Sequence, residues 1–202
     1  MSTEARDDSS EARDDSSEAR DDSSGRENAG ARSTSASDAG TEDQGTIRAR
    51  VIRLAFEDDP QRYDEFVREV GDATPAGVQV ILRGSAVTGH KWMSDEPFDA
   101  DGPGTSDLDV TFVGGGMVSL FRDFHIPGIH SAPLSEAHPF ASPALGPLRK
   151  RLCAMCGRPV NLQATTSLVQ YLRDVVMDQP YLVLLAKPED DETKPSEPAR
   201  DD

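Results

Sequence analysis

Apolar residues are grouped into runs between residue 46 and residue 186 and are nearly absent on either side. In residues 46–56 the apolar content is Ile47, Val51, Ile52, Leu54 and Phe56, a β-branched set that reads as a first strand. Pro60 suits the first turn of a helix running to about Val70, with Phe66, Val67 and Val70 on one side and Gly71 near its end. Residues 78–82 form an apolar, β-branched run of strand length, and Leu108–Val113 is another, stopped by Gly114, Gly115 and Gly116. No Lys-Ser/Thr follows that triple glycine, so it reads as a turn rather than a P-loop. Residues 117–124 suggest a short helix. Pro127, Pro133, Pro139 and Pro143 then break the chain into loops that carry His125, His130 and His138. Regularity returns at residues 144–156, where Leu145, Leu148, Leu152 and Met155 stand at helical spacing and Gly157 suits the cap. Residues 158–164 alternate through Val160 and Leu162 as a third strand, 167–177 form an amphipathic helix, and 181–186 are an apolar last strand. Strands interleaved with helices predict an α/β (α+β) fold with a mixed sheet and flanking helices.

Composition divides the chain further. Residues 4–10 recur as 11–17 and 18–24, three copies of a heptad whose only apolar member is alanine. A coiled coil needs two large apolar residues per heptad, so the period specifies no helix seam, and low hydrophobicity with high charge predicts disorder. The expected organisation is an acidic tail over 1–45, a globular domain over 46–186 and a second acidic tail over 187–202. Of the net charge of -16, the first tail carries -8 (13 acids, 5 arginines) and the last -4 (7 acids, 3 bases), leaving -4 for the domain. A domain of that charge has no broad basic surface, so no groove for a nucleic-acid backbone is predicted. No apolar stretch reaches the ~18 residues of a membrane span, and the N-terminus lacks the basic-then-apolar order of a secretory signal. A cytoplasmic address is therefore expected. Cys153 and Cys156 fit it as free thiols, since a zinc site would need two more ligands and the four histidines have no paired helical spacing.

The chemistry-bearing residues lie around two of the strands. Arg83, Gly84 and Ser85 end the run 78–82 in a small-residue turn, which allows backbone to approach a phosphate closely. Asp107 and Asp109 open the next strand at i and i+2. Alternation points both carboxylates to one face, where they would hold one divalent cation between them.

The order Leu82-Arg83-Gly84-Ser85 followed by Ser106-Asp107-Leu108-Asp109-Val110 resembles the paired Gly-Ser and Asp-x-Asp signature of the polymerase beta-like nucleotidyltransferase superfamily. Downstream, residues 157–163, 172–177 and 181–186 are similar to the close of a minimal, antitoxin-associated nucleotidyltransferase, so the likeness spans about residues 78–186. It implies an enzyme that moves a nucleotidyl group from a nucleoside triphosphate, ATP first among them, to a hydroxyl of a small molecule or a protein. Asp107 and Asp109 would bind magnesium, the backbone around Gly84 and Ser85 would meet phosphate oxygens, and Arg83 would assist on the phosphates.

Two departures bear on catalysis. The position of the third carboxylate in active relatives is Asn161 here, an amide that coordinates weakly and cannot act as a base. The 21 residues between Ser85 and Asp107 exceed the usual interval; they include the only Trp, Trp92, and the acids Asp95, Glu96, Asp99 and Asp101. That segment is open to three roles: stacking on a base, replacing the missing carboxylate, or decorating the surface. The alternative to an active transferase is a nucleotidyltransferase-like module that binds nucleotide or a partner without turnover; an unrelated α/β domain is the third possibility.

Overall fold

The computed structural model describes residues 42–177 and 179–189. The chain divides into two units, Met1–Asp38 and Ala39–Asp202, and every described residue falls in the second. The acidic repeats lie outside the described residues, as does the last tail beyond Glu189.

Among the described residues, six strands form one mixed sheet: β1 (Gln79–Arg83), β2 (Leu108–Val113), β3 (Phe124–Ile126), β4 (His130–Ser131), β5 (Val160–Thr165) and β6 (Leu182–Ala186). Their order is β3-β4-β5-β2-β1-β6, with β2 and β5 parallel and the other pairs antiparallel. The helices are α1 (Gln44–Ala55), α2 (Pro60–Asp72), the single turns α3 (Ser85–Thr88) and α4 (Gly115–Val118), α5 (Gly146–Cys156) and α6 (Leu168–Tyr171). A mixed α/β architecture with flanking helices is thus what the chain adopts. Among the described residues no helix is long and apolar enough to cross a membrane.

Alternation along the strands gives the sheet two different faces. Leu108, Val110 and Phe112 of β2 join Val80, Leu82, Val160 and Leu162 in the main core, which α1, α2 and α5 supply with Ile47, Val51, Phe66, Val70, Leu148 and Leu152. Each large apolar side chain so buried contributes ~1.5–3 kcal/mol. The opposite face carries Asp109, Thr111, Asn161 and Gln163. It is covered only in part, where Tyr171 of α6 packs on Ile81.

The first strand expected at 46–56 is instead helix α1. Ile47, Val51 and Ala55 recur every four residues and are all buried, a helical period that outweighs the β preference of single Val and Ile residues. Asp43 caps the helix by accepting from the Thr46 amide at 3.2 Å. Gln44, assigned to the tail by composition, closes the free edge of β6: its side chain donates to Tyr181 O and accepts from Val183 N, both at 2.8 Å.

Two further expectations change. The helix expected at 117–124 is confined to α4, and the proline-broken segment that follows adds β3 and β4 to the sheet. The helix expected at 167–177 has one α turn capped by Ser167, followed by a π turn over Leu172–Val176 that ends at Met177 with φ 50°. Helix α2 begins at Pro60 as expected. Helix α5 ends on Gly157, whose φ of 69° and amide bond to Cys153 O at 2.9 Å form the cap. Cys153 and Cys156 on α5 are free thiols, the second buried.

Candidate functional site

Strand register places Arg83, Asp109 and Asn161 in one row across β1, β2 and β5: Arg83 pairs with Asp109, and Asp109 with Asn161. Asp107 lies two residues before Asp109, so its side chain emerges on the same face. The amide nitrogen of Asn161 donates to both carboxylates, to Asp109 Oδ1 at 3.1 Å and to Asp107 Oδ2 more closely. Sequence reasoning selected Asp107, Asp109 and Asn161, and the fold brings all three to one point.

Gly84 follows Arg83 with φ 85° and ψ -162°, a conformation open in practice only to glycine. Its carbonyl receives the amides of Val87 at 2.9 Å and Thr88 at 3.1 Å, which turns the chain into α3 immediately after β1. Ser85 opens that turn and, together with Asp107, lines two cavities. One, of about 280 Å³, is also lined by Arg83, Gly84, Asp109, Trp92 and Met177. The other, of about 480 Å³, is lined by Asn161, Arg149, Ser135 and Glu136.

Arg83 is half-buried, and its guanidinium stands 3.5 Å from Asp109 Oδ2. Behind it lies a polar cluster that sequence reasoning did not single out. With its amide oxygen facing Arg83, Gln163 accepts from Nε and Nη2 of Arg83, each at 3.0 Å, and from the hydroxyls of Thr111 and Tyr171. The hydroxyls of Thr111 and Tyr171 are 2.9 Å apart. Alternation alone would have aligned Gln163 with Asn161 and Thr111 with Asp109, but Tyr171 arrives from an element no local pattern links to β2. Burial pushes the Asp109 carboxyl above its ordinary value; Arg83 opposes this, neighbouring Asp107 adds to it, and the Asn161 hydrogen bond opposes it. Burial likewise raises the Tyr171 phenol, so it remains a neutral hydrogen-bonding group.

The long segment before Asp107 does not supply a third carboxylate. Asp99 is stapled elsewhere: it accepts from Arg158 Nη1 at 3.0 Å and Nη2 at 3.1 Å, from Gly104 N at 3.0 Å and from Ser106 N at 2.8 Å. Burial disfavours its charge, yet the hydrogen bonds from Arg158 and the two amides hold its carboxyl below the ordinary value. Asp101 is tied to Lys91 Nζ at 2.5 Å. Phe98 packs beneath the Arg158 guanidinium, 4.6 Å from ring centre to carbon, and anchors the segment further. Trp92 is carried to the mouth of the smaller cavity with 63% of its surface exposed.

Among the described residues no group of three or more His, Cys, Asp or Glu side chains converges on a metal position. Magnesium, however, is commonly bound through one or two carboxylates with substrate phosphates and water completing its shell. Asp107 and Asp109, close enough to share one amide donor, fit that requirement, and rotating the Asn161 amide would offer its oxygen in place of its nitrogen.

No family model, curated protein or solved structure matches this chain.

Proposed function

We propose that the chain is a magnesium-dependent nucleotidyltransferase, moving a nucleotidyl group from a nucleoside triphosphate to a hydroxyl acceptor. The observation that carries this reading is the meeting of Asp107, Asp109 and Asn161 at one amide, beside the Gly84-Ser85 turn and where two cavities adjoin. Asp107 and Asp109 would hold the cation, which would supply charge neutralisation for the phosphates. Gly84 lets backbone come close to the phosphate oxygens, and Ser85 offers its hydroxyl. Arg83 acts through Asp109: its guanidinium is held by Gln163 and pairs with the carboxylate, so it fixes where the ligand oxygens stand. Trp92 and Met177 at the cavity mouth give a planar base apolar surface to stack against.

One observation favours a second reading, a nucleotide-binding module without turnover. Asn161 supplies a donor where catalysis calls for a base, and the described residues around it include no third carboxylate. Magnesium-dependent transfer from a nucleoside triphosphate labelled at the α-phosphate separates the two. Under the first reading transfer is present in the wild type and lost in Asp107→Asn and Asp109→Asn. Transfer that survives both changes would remove the carboxylates from the reaction, and nucleotide binding without transfer would establish the second reading.

A further inference from the structure

The two cavities that meet at Asp107 are unlike in charge. Among the described residues, the charged side chains lining the smaller one are Arg83, Lys91, Asp107 and Asp109, which balance. Those lining the larger one are Lys91, Arg149, Asp101, Glu136 and Asp107, one net negative. A cation at Asp107 is shared by both and leaves the difference standing. A triphosphate, the more highly charged of the two substrates, is assigned to the smaller cavity, where Gly84, Arg83 and the exposed Trp92 lie, and the less charged acceptor to the larger one.

Among the described residues, the larger cavity contains a cation that the fold positions through one nitrogen and leaves open at the others. Arg149 on α5 donates Nε to Val160 O at 2.7 Å, which fixes its guanidinium one residue from Asn161. Its two Nη groups have no partner among the described residues. Lys91, by contrast, is engaged by Glu96 at 3.3 Å and Asp101 at 2.5 Å. A guanidinium held at Nε presents a planar pair of donors, the arrangement that takes a carboxylate or phosphate group in bidentate fashion.

We propose that the larger cavity is the acceptor subsite, and that Arg149 selects a small hydroxyl compound carrying a carboxylate or phosphate group. The proposal rests on the nucleotidyltransfer reading. In the step it implies, the acceptor hydroxyl oxygen forms a bond to the α-phosphorus and the bond from that phosphorus to the oxygen bridging to the β-phosphate breaks. Pyrophosphate leaves with the electron pair, and the hydroxyl proton passes to water.

The test is site-resolved labelling of arginines in the full chain with phenylglyoxal, read at Arg149 by peptide mass spectrometry. Glycerate and glycerol phosphate are expected to protect Arg149, whereas glycerol and magnesium with a nucleoside triphosphate are not; the anion that protects at lower concentration identifies the group preferred. Arg149→Lys keeps the charge and loses the fork, and is expected to weaken binding of the protecting anion about tenfold by calorimetry. The nucleotide dissociation constant, read from the fluorescence of Trp92, the only tryptophan, is expected to stay where it was. If nucleotide binds and neither anion protects, or if nucleotide alone protects, the acceptor assignment is overturned while the transfer reading stands. If Trp92 responds to no nucleoside triphosphate with magnesium, the transfer reading falls and takes the acceptor role with it.

Discussion

A Cβ placed on Gly84 would stand 3.0 Å from Oδ2 of Asp109. Two requirements therefore coincide at this glycine: a φ of 85° that side chains rarely adopt, and the approach of a carboxylate from the neighbouring strand. Gly84→Ala is expected to lower the unfolding free energy by about 2 kcal/mol from backbone strain. It should also displace Asp109 and weaken the response of Trp92 to nucleotide with magnesium. Urea denaturation checks the first effect and fluorescence titration the second. An alanine variant as stable as the wild type would show that the backbone relaxes out of this conformation.

The site was more legible in the sequence than the network supporting it, for a physical reason. Asp107, Asp109 and the Gly84 turn are local signals, readable from the two-residue period of a strand and from the conformational range of glycine. The partners of Arg83 are not local: Tyr171 meets Thr111 across 60 residues of chain, and only the folded sheet brings them together. The same contrast holds for the fold. Strands β1 and β6 are largely apolar runs and β2 and β5 alternate apolar with polar residues, whereas β3 and β4 span only three and two residues and form by pairing at the sheet edge. Helix α1 was hidden because Val51 and Ile52 favour strands one by one, while the buried set Ile47, Val51 and Ala55 obeys a helical period.

The staple between Asp99 and Arg158 makes the segment ahead of Asp107 part of the fold. Arg158 is 5% exposed at its side chain and Asp99 18%, so removing the carboxylate leaves a buried guanidinium without its counter-charge. Asp99→Asn is expected to cost about 3 kcal/mol of stability. It should also raise protease sensitivity between residues 90 and 104, measured by limited proteolysis at a temperature where the rest of the chain stays folded. Because Asp99 is committed to Arg158, the proposed transfer should persist in the folded fraction. Loss of transfer in a variant that still folds would give Asp99 a direct part in the site.

His130 makes stability depend on pH. It is 2% exposed, neither ring nitrogen has a hydrogen-bond partner among the described residues, and its ring lies 4.9 Å from Tyr171 and 5.8 Å from His125. Burial, aided by the charges of His125 and Arg83, pulls its pKa from 6.5 down to about 4. The unfolded chain therefore takes up the proton first as pH falls. Stability from this group is complete above pH 6.5, declines between 6.5 and about 4, and levels off below, a total of about 3 kcal/mol. Urea midpoints across this range should fall more steeply for the wild type than for His130→Phe, which carries no proton. Parallel curves would mean that the folded state accommodates the charged ring.

Asn161→Asp tests the carboxylate pair without relying on turnover. In the wild type the Asn161 amide donates to both Asp107 and Asp109 and so offsets their mutual repulsion. An aspartate there removes two hydrogen bonds and sets a third negative charge against two others in a partly buried site. Without divalent cation the variant should lose about 2–4 kcal/mol of stability. With magnesium the third carboxylate becomes a ligand, so the loss should be recovered and the melting temperature should rise with magnesium concentration more steeply than in the wild type. The same variant should transfer nucleotide faster if the amide is what limits the reaction. Thermal unfolding with and without magnesium decides the point: a variant destabilised to the same degree in both conditions would mean that the carboxylates do not hold the cation.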